Sequence, residues 1–206
     1  MKIDYKKEYK DLYMPKKKPS IIQGPEMIFI MVDGQGNPNT SESYKNAIEI
    51  LYGLSFTIKM SKMSGTQPEG YFDYVVPPLE GLWWVDDAAF DGQNVTDKDR
   101  FCWTSMIRQP EFVTEEVYEW AKQSLQKKKK YIDFLSTRLV KFTEGLCCQV
   151  MHVGSYDAEP ATIKMMEKYI EESGYVQDIN PEPSGQKRRY RLCHYHVYCH
   201  LLCKQN

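Results

Sequence analysis

Apolar positions recur along this chain in two periods, and the alternation between them sets out the elements. Met27 to Val32 is a continuous apolar run of strand length, closed by the loop Asp33-Gly34-Gln35-Gly36-Asn37-Pro38-Asn39. A helix follows, with Asn39 as its cap and Glu42 three residues on. Tyr44, Ala47, Ile48, Leu51, Tyr52 and Ser55 hold helical spacing on one face. After a loop containing Gly65, Pro68 and Gly70, the residues Tyr71 to Val76 read as a strand. Pro77-Pro78 stops it, Glu80-Gly81 turns, and Leu82 to Val85 runs back, which predicts a hairpin. Alternation puts Trp83 and Trp84 on opposite faces of that hairpin.

Asp86 to Arg100 is polar and reads as a loop, and Phe101 to Ile107 as a strand that Pro110 ends. Thr114 caps a second helix whose inward face is Val117, Trp120, Ala121 and Leu125. Glu115 and Glu116 at its start and Lys127 to Lys130 at its end match the helix dipole at both poles. Leu139 to Phe142 and Leu146 to Val153 read as two strands joined by a turn at Glu144-Gly145. A third helix spans about 158–173, with Ile163, Met166 and Ile170 inward and Gly174 as its stop. Residues 180–186 form a turn region, and a last strand starts near Lys187.

The order hides a repeat. Met27 to Asp33, Gly34, a helix and Gly70-Tyr71 match Leu146 to Val153, Gly154, a helix and Gly174-Tyr175. The fold class expected is α+β: two fused strand-helix-strand-strand modules related by a pseudo-twofold axis, with a ligand cleft between them. The first module covers about 25–86 and the second about 100–200, together one domain over 25–206. Residues 1–24 read as an N-terminal arm, docked through Tyr5, Tyr9, Leu12 and Tyr13.

Candidate chemistry concentrates in the predicted cleft strands. Tyr71, Trp83, Trp84, Phe101 and Trp103 could stack flat organic molecules, and a cationic ligand would gain cation–π attraction. Met60, Met63, Met106 and Met151 would add an adaptable lining. A second reading leaves these residues in an ordinary core, with Trp120 the clearest example. Among the acids, Glu80 and Asp73 are the candidates to orient a water; the plainer reading makes Glu80 a turn residue and Asp73 a solvent-facing one. Gly34-Gln35-Gly36 lacks the continuation of a nucleotide loop. Cys147-Cys148 read as packing residues, because no cation stands beside them in sequence. His152, inside an apolar strand, reads as a satisfied buried histidine.

Charge narrows the partners. The 206 residues carry 27 basic and 28 acidic side chains, a formal net charge of −1, which argues against nucleic acid as the main partner. No apolar leader and no membrane-length apolar window is visible, so a soluble cytoplasmic protein is expected. Six cysteines then read as thiols. Cys193, His194, His196, Cys199, His200 and Cys203 could hold zinc, but their spacing fits no usual finger, and strand alternation explains them as well. Neither a metal nor a cofactor is expected, and nothing sets the oligomeric state.

Several segments resemble the GyrI-like ligand-binding family. They are Cys148-Gln-Val-Met-His-Val-Gly-Ser-Tyr156, Ser173-Gly174-Tyr175, Pro77-Pro78-Leu-Glu-Gly-Leu-Trp-Trp84 and Phe101-Cys-Trp-Thr-Ser-Met-Ile107. The resemblance spans about residues 20–180. It implies two fused modules around an aromatic cleft that binds hydrophobic, often cationic small molecules. The last two segments are similar to a subgroup of hydrolases that open the cyclopropane of DNA-alkylating natural products, which implies self-protection. Other relatives are regulators or gyrase inhibitors, so a non-catalytic sensing or sequestering module is the alternative. Relatives carry a glutamate in the last strand, pointing into the cleft. The corresponding segment here, Lys187 to His200, has none. A literal repeat sets Asp73 in the first module where that glutamate stands in the second.

Overall fold

The computed structural model describes residues 2–84, 97–154, 158–177, 190–193 and 198–205. Three full-length helices form where periodicity places them. α3 spans Glu42–Lys59, after two short N-terminal helices, α1 (Tyr5–Glu8) and α2 (Lys10–Tyr13). Its cap is Ser41, whose hydroxyl accepts from the Tyr44 amide, and not Asn39 as expected. The start moves two residues because Asn37, Asn39 and Thr40 are tied into a turn of their own. A 3-10 turn, Met60–Ser64, follows and ends at Gly65 in the left-handed region. α4 (Glu115–Lys128) is capped by Thr114, and α5 (Glu159–Glu172) stops before Gly174, φ +79°.

Three expectations about the strands need correcting. Residues 71–78 and 79–84 do not form a hairpin. β2 is Leu79–Trp84 and runs straight through Glu80-Gly81. Pro77 and Pro78 have no amide to donate, so the preceding segment stays outside the ladder. Its Tyr74 makes a parallel bridge to Ile3 instead. Gly81 is needed within the strand because the Trp83 indole folds over it: a Cβ there would lie 2.7 Å from Trp83 Nε1. Likewise β4 is one strand, Thr137–Met151, and not two. Its partner is the similarly long β1, Ser20–Gln35, and the ladder holds one register on both sides of Pro25 and Glu144. Finally, the C-terminal segment is not one strand. It makes β6 (Tyr190–Cys193) and β7 (Tyr198–Gln205), which pair with each other. The loop expected over 86–100 lies mostly outside the described residues, and the 180–186 turn lies wholly outside them.

With β3 (Cys102–Gln109) and β5 (Tyr175–Gln177), the strands form an all-antiparallel sheet in the order β4-β1-β3-β2-β6-β7-β5. β7 also pairs with β4, so the sheet curls until it meets itself. Exchanging β1 with β4, β3 with β7 and β2 with β6 leaves the six-strand ring unchanged. That is the pseudo-twofold arrangement the repeat predicts. α3 packs on the outside of the first half, over Ile30, Val32, Leu79, Trp103 and Ile107. α5 packs over Ile21, Cys148 and Val150 in the second. Alternation turns Met27, Phe29, Met31, Leu82 and Met106 to the inner face. Among the described residues no helix is long and apolar enough to cross a membrane.

Candidate functional site

Strand register maps the inner face row by row. Glu80, Met106, Met31 and Arg138 stand in line across β2, β3, β1 and β4. On one side lie Leu82, Thr104 and Asp33, then Trp84, Cys102 and Gln35. On the other side lie Arg108, Phe29 and Val140, then Met27 and Phe142. The floor is apolar and rich in methionine, with Phe29 edge-on to Phe142 at 6.2 Å. Glu80, 5% exposed, is the one buried carboxylate among the described residues. At the rim, Thr104 donates to Asp33 Oδ1 at 2.6 Å, and Arg138 grips both oxygens of Asp33. That pair is half-exposed and is worth little to stability by itself.

The expected site residues are dispersed over the molecule. Glu80, Trp84 and Met106 share the inner face. Trp83, Phe101 and Trp103 lie on the opposite, α3 side. Trp103 meets Tyr44 edge-on at 5.0 Å, Trp83 leans on both rings, and Phe101 abuts Trp83 at 5.9 Å. Tyr71 belongs to a third cluster with Phe72, Tyr74 and Phe112, and its hydroxyl donates to the Lys59 carbonyl at 2.7 Å. Tyr71, Trp84 and Trp103 therefore do not line one surface. Met151 ends β4 half-buried, and its amide donates to the Lys16 carbonyl. Met60 and Met63 are exposed on the turn after α3.

Asp73 lies outside the sheet. It pairs with Lys62 at 2.8 Å and Lys59 at 3.4 Å, and hydrogen bonding to Lys62 holds its carboxyl below the ordinary range. Since the symmetry pairs β3 with β7, Asp73 is not the counterpart of a residue in the last strand. Burial pushes the Cys148 thiol up to about 12, so it is a packing group and not a nucleophile. His152 is buried, its Nδ1 2.7 Å from Thr162 Oγ1. Of the cysteine and histidine cluster, Cys193 is in β6, and Cys199, His200 and Cys203 are in β7. His194, His196 and Val197 lie outside the described residues. Among the described residues no three His, Cys, Asp or Glu side chains converge on a metal site.

Sequence reasoning missed Phe29, Met31, Asp33, Arg108 and Arg138. The signal was there in part. Had Glu80-Gly81 not been read as a turn, alternation through Glu80, Leu82 and Trp84 would have drawn this face. Met106 and Arg108 would have followed on β3.

The GyrI-like small-molecule-binding domain matches residues 17–183. An uncharacterized conserved protein from Listeria innocua is 42% identical, with a TM-score of 0.88 over 98% of this chain and 100% of its own. Two crystal structures of a hydrolase from the same organism are 43% and 42% identical, with TM-scores of 0.86 and 0.89. They cover 98% and 99% of this chain, and 100% of theirs. No curated protein matches the chain.

Proposed function

The chain belongs to the GyrI-like family of small-molecule-binding domains, and we propose that its ligand lies on the inner face of the sheet, against Glu80, Met106 and Trp84. The observation that carries this reading is Glu80, a carboxylate buried on a floor of Met31, Leu82 and Met106. Taking a carboxylate out of water costs several kcal/mol, so its retention there points to use. The ligand is planar and apolar, with a positive charge preferred. Methionines and an indole adapt to a flat ring system, and the carboxylate supplies the opposite charge.

The reaction that fits is hydrolysis of a strained, cyclopropane-bearing electrophile, the kind of compound that alkylates DNA. Glu80 accepts a proton from a water as the water oxygen bonds to a cyclopropane carbon. The ring bond breaks, its electrons pass through the conjugated system to the carbonyl oxygen, and that phenolate takes a proton from solvent while Glu80 releases its own to solvent. Similarity to Listeria innocua proteins named as hydrolases supports hydrolysis as the class of reaction. A second reading, sequestration without turnover, is favoured by the sequence after Glu182, which contains no acid to pair with Glu80.

One experiment tests both. The protein is mixed with a cyclopropane-bearing alkylator, following ring opening by absorbance and binding by tryptophan fluorescence. Turnover that falls ~10²–10⁴-fold in Glu80→Gln and is kept in Asp73→Asn supports hydrolysis. Saturable quenching without ring opening supports sequestration. Fast turnover kept by Glu80→Gln would remove the carboxylate from the mechanism.

A further inference from the structure

The N-terminal arm packs against one end of the inner face and touches both halves of the molecule. Ile3 bridges Tyr74, its amide donating to the Asp73 carbonyl at 2.9 Å and its carbonyl accepting from the Val75 amide at 2.7 Å. The Asp11 carbonyl accepts from the Gln149 side chain, and the Lys16 carbonyl from the Met151 amide. Between these anchors Leu12 enters the cluster of Phe29, Leu82 and Met106. Arg108, in the row beside Glu80, reaches into the arm. Its guanidinium lies 4.3 Å from the Tyr5 ring and 4.4 Å from the Tyr9 ring. Those two rings stack at 5.9 Å. Glu111 completes the clasp, 3.3 Å from Arg108 and accepting from the Tyr5 hydroxyl at 3.0 Å. Arg108 is 4% exposed, and Tyr5 and Tyr13 are 2% exposed. A charged side chain so buried is costly unless its partners hold it, and here most of those partners are supplied by the arm.

We infer that residues 3–16 form the end wall of the ligand site, and that Arg108 is the positioning residue that holds this wall through Tyr5 and Tyr9. The inference rests on the reading above that the ligand lies on the inner face. Leu12 then limits how long a planar ligand can be at the Phe29 end. The wall belongs to the chain's first residues and not to the sheet, so ligand length is set independently of the Glu80 row.

The test uses the full chain and two fluorescent aromatic cations, the compact proflavine and the longer DAPI. Arg108→Gln should let trypsin cut after Lys6, Lys7 or Lys10 about tenfold faster, and Arg108→Lys should fall between. Tyr9→Ala, at a partly exposed position, removes one ring without touching β3 and should act in the same direction if Arg108→Gln fails to fold. Leu12→Ala should raise DAPI affinity relative to proflavine about tenfold. Unchanged tryptic rates in Arg108→Gln and Tyr9→Ala would overturn the clasp. Dyes that bind with an unchanged affinity ratio in Leu12→Ala would overturn the wall while leaving the ligand face standing. Failure of both dyes to bind the unaltered chain would sink the ligand face and the wall together.

Discussion

The two faces of the curled sheet share strands yet are packed in different ways. On the α3 side large rings are pressed into places kept open by glycine. Trp103 lies across β1 at Gly34, where a Cβ would fall 2.2 Å from its ring. Leu125 of α4 reaches α3 at Gly53, where a Cβ would fall 2.8 Å away. Deep on that side Gln109 Nε2 donates to Ser55 Oγ and to the Ile107 carbonyl, both at 3.0 Å. On the inner face the residues are methionines and single aromatics, interrupted by Glu80, Arg108, Asp33 and Arg138. One face is closed by packed rings, and the other mixes apolar side chains with charge.

Substitutions should separate the two faces. The largest effect belongs to Trp103→Ala, which should cost about 3–5 kcal/mol and lower the melting temperature by roughly 10 °C. Gly34→Ala should cost about 1–3 kcal/mol, because the fully buried indole has nowhere to retreat. The cost should largely vanish when Trp103 is already alanine, and a double-mutant cycle by thermal melting measures that coupling. Additive costs would mean that the close approach at Gly34 is not what matters.

On the inner face the expected effect moves from stability to binding. Glu80→Gln should weaken a cationic aromatic about tenfold, with a neutral analogue unaffected. Calorimetric titration of both ligands decides this. Equal weakening of the two would mean the charge is not being read.

The smallest effect concerns Asp73, on neither face. Its folded carboxyl is depressed by Lys62 and Lys59, so its contribution is present above the unfolded carboxylate value near ~4. It is lost as pH falls through the lower folded value. The melting difference between this chain and Asp73→Asn should therefore shrink from pH 7 towards the lowest pH at which both remain folded. A gap that stays constant would show that the ion pairs are not its origin.

Local chemistry was legible in the sequence. α4 and α5 lie within a residue or so of the spans that period, cap and glycine stop mark out, because a helix is closed by bonds between near neighbours. The repeat of strand, glycine and helix carried the pseudo-twofold arrangement, and the resemblance of segments such as Pro77 to Trp84 and Phe101 to Ile107 carried the family. Alternation also required Trp83 and Trp84 to part. What it left open was which of them joins α3 and which joins Met106, since that depends on strands distant in sequence. The turn read at Glu80-Gly81 shows the same limit. Nothing nearby reveals that Gly81 is there to seat Trp83, or that Glu80 is framed by Met106 on one side and β6 on the other. The arm went furthest beyond reach. Tyr5, Tyr9, Leu12 and Tyr13 announced a docked segment, but its clasp needs Arg108, about a hundred residues away. Pairing across that separation is decided by burial and charge in the folded molecule, and a one-dimensional pattern does not contain it.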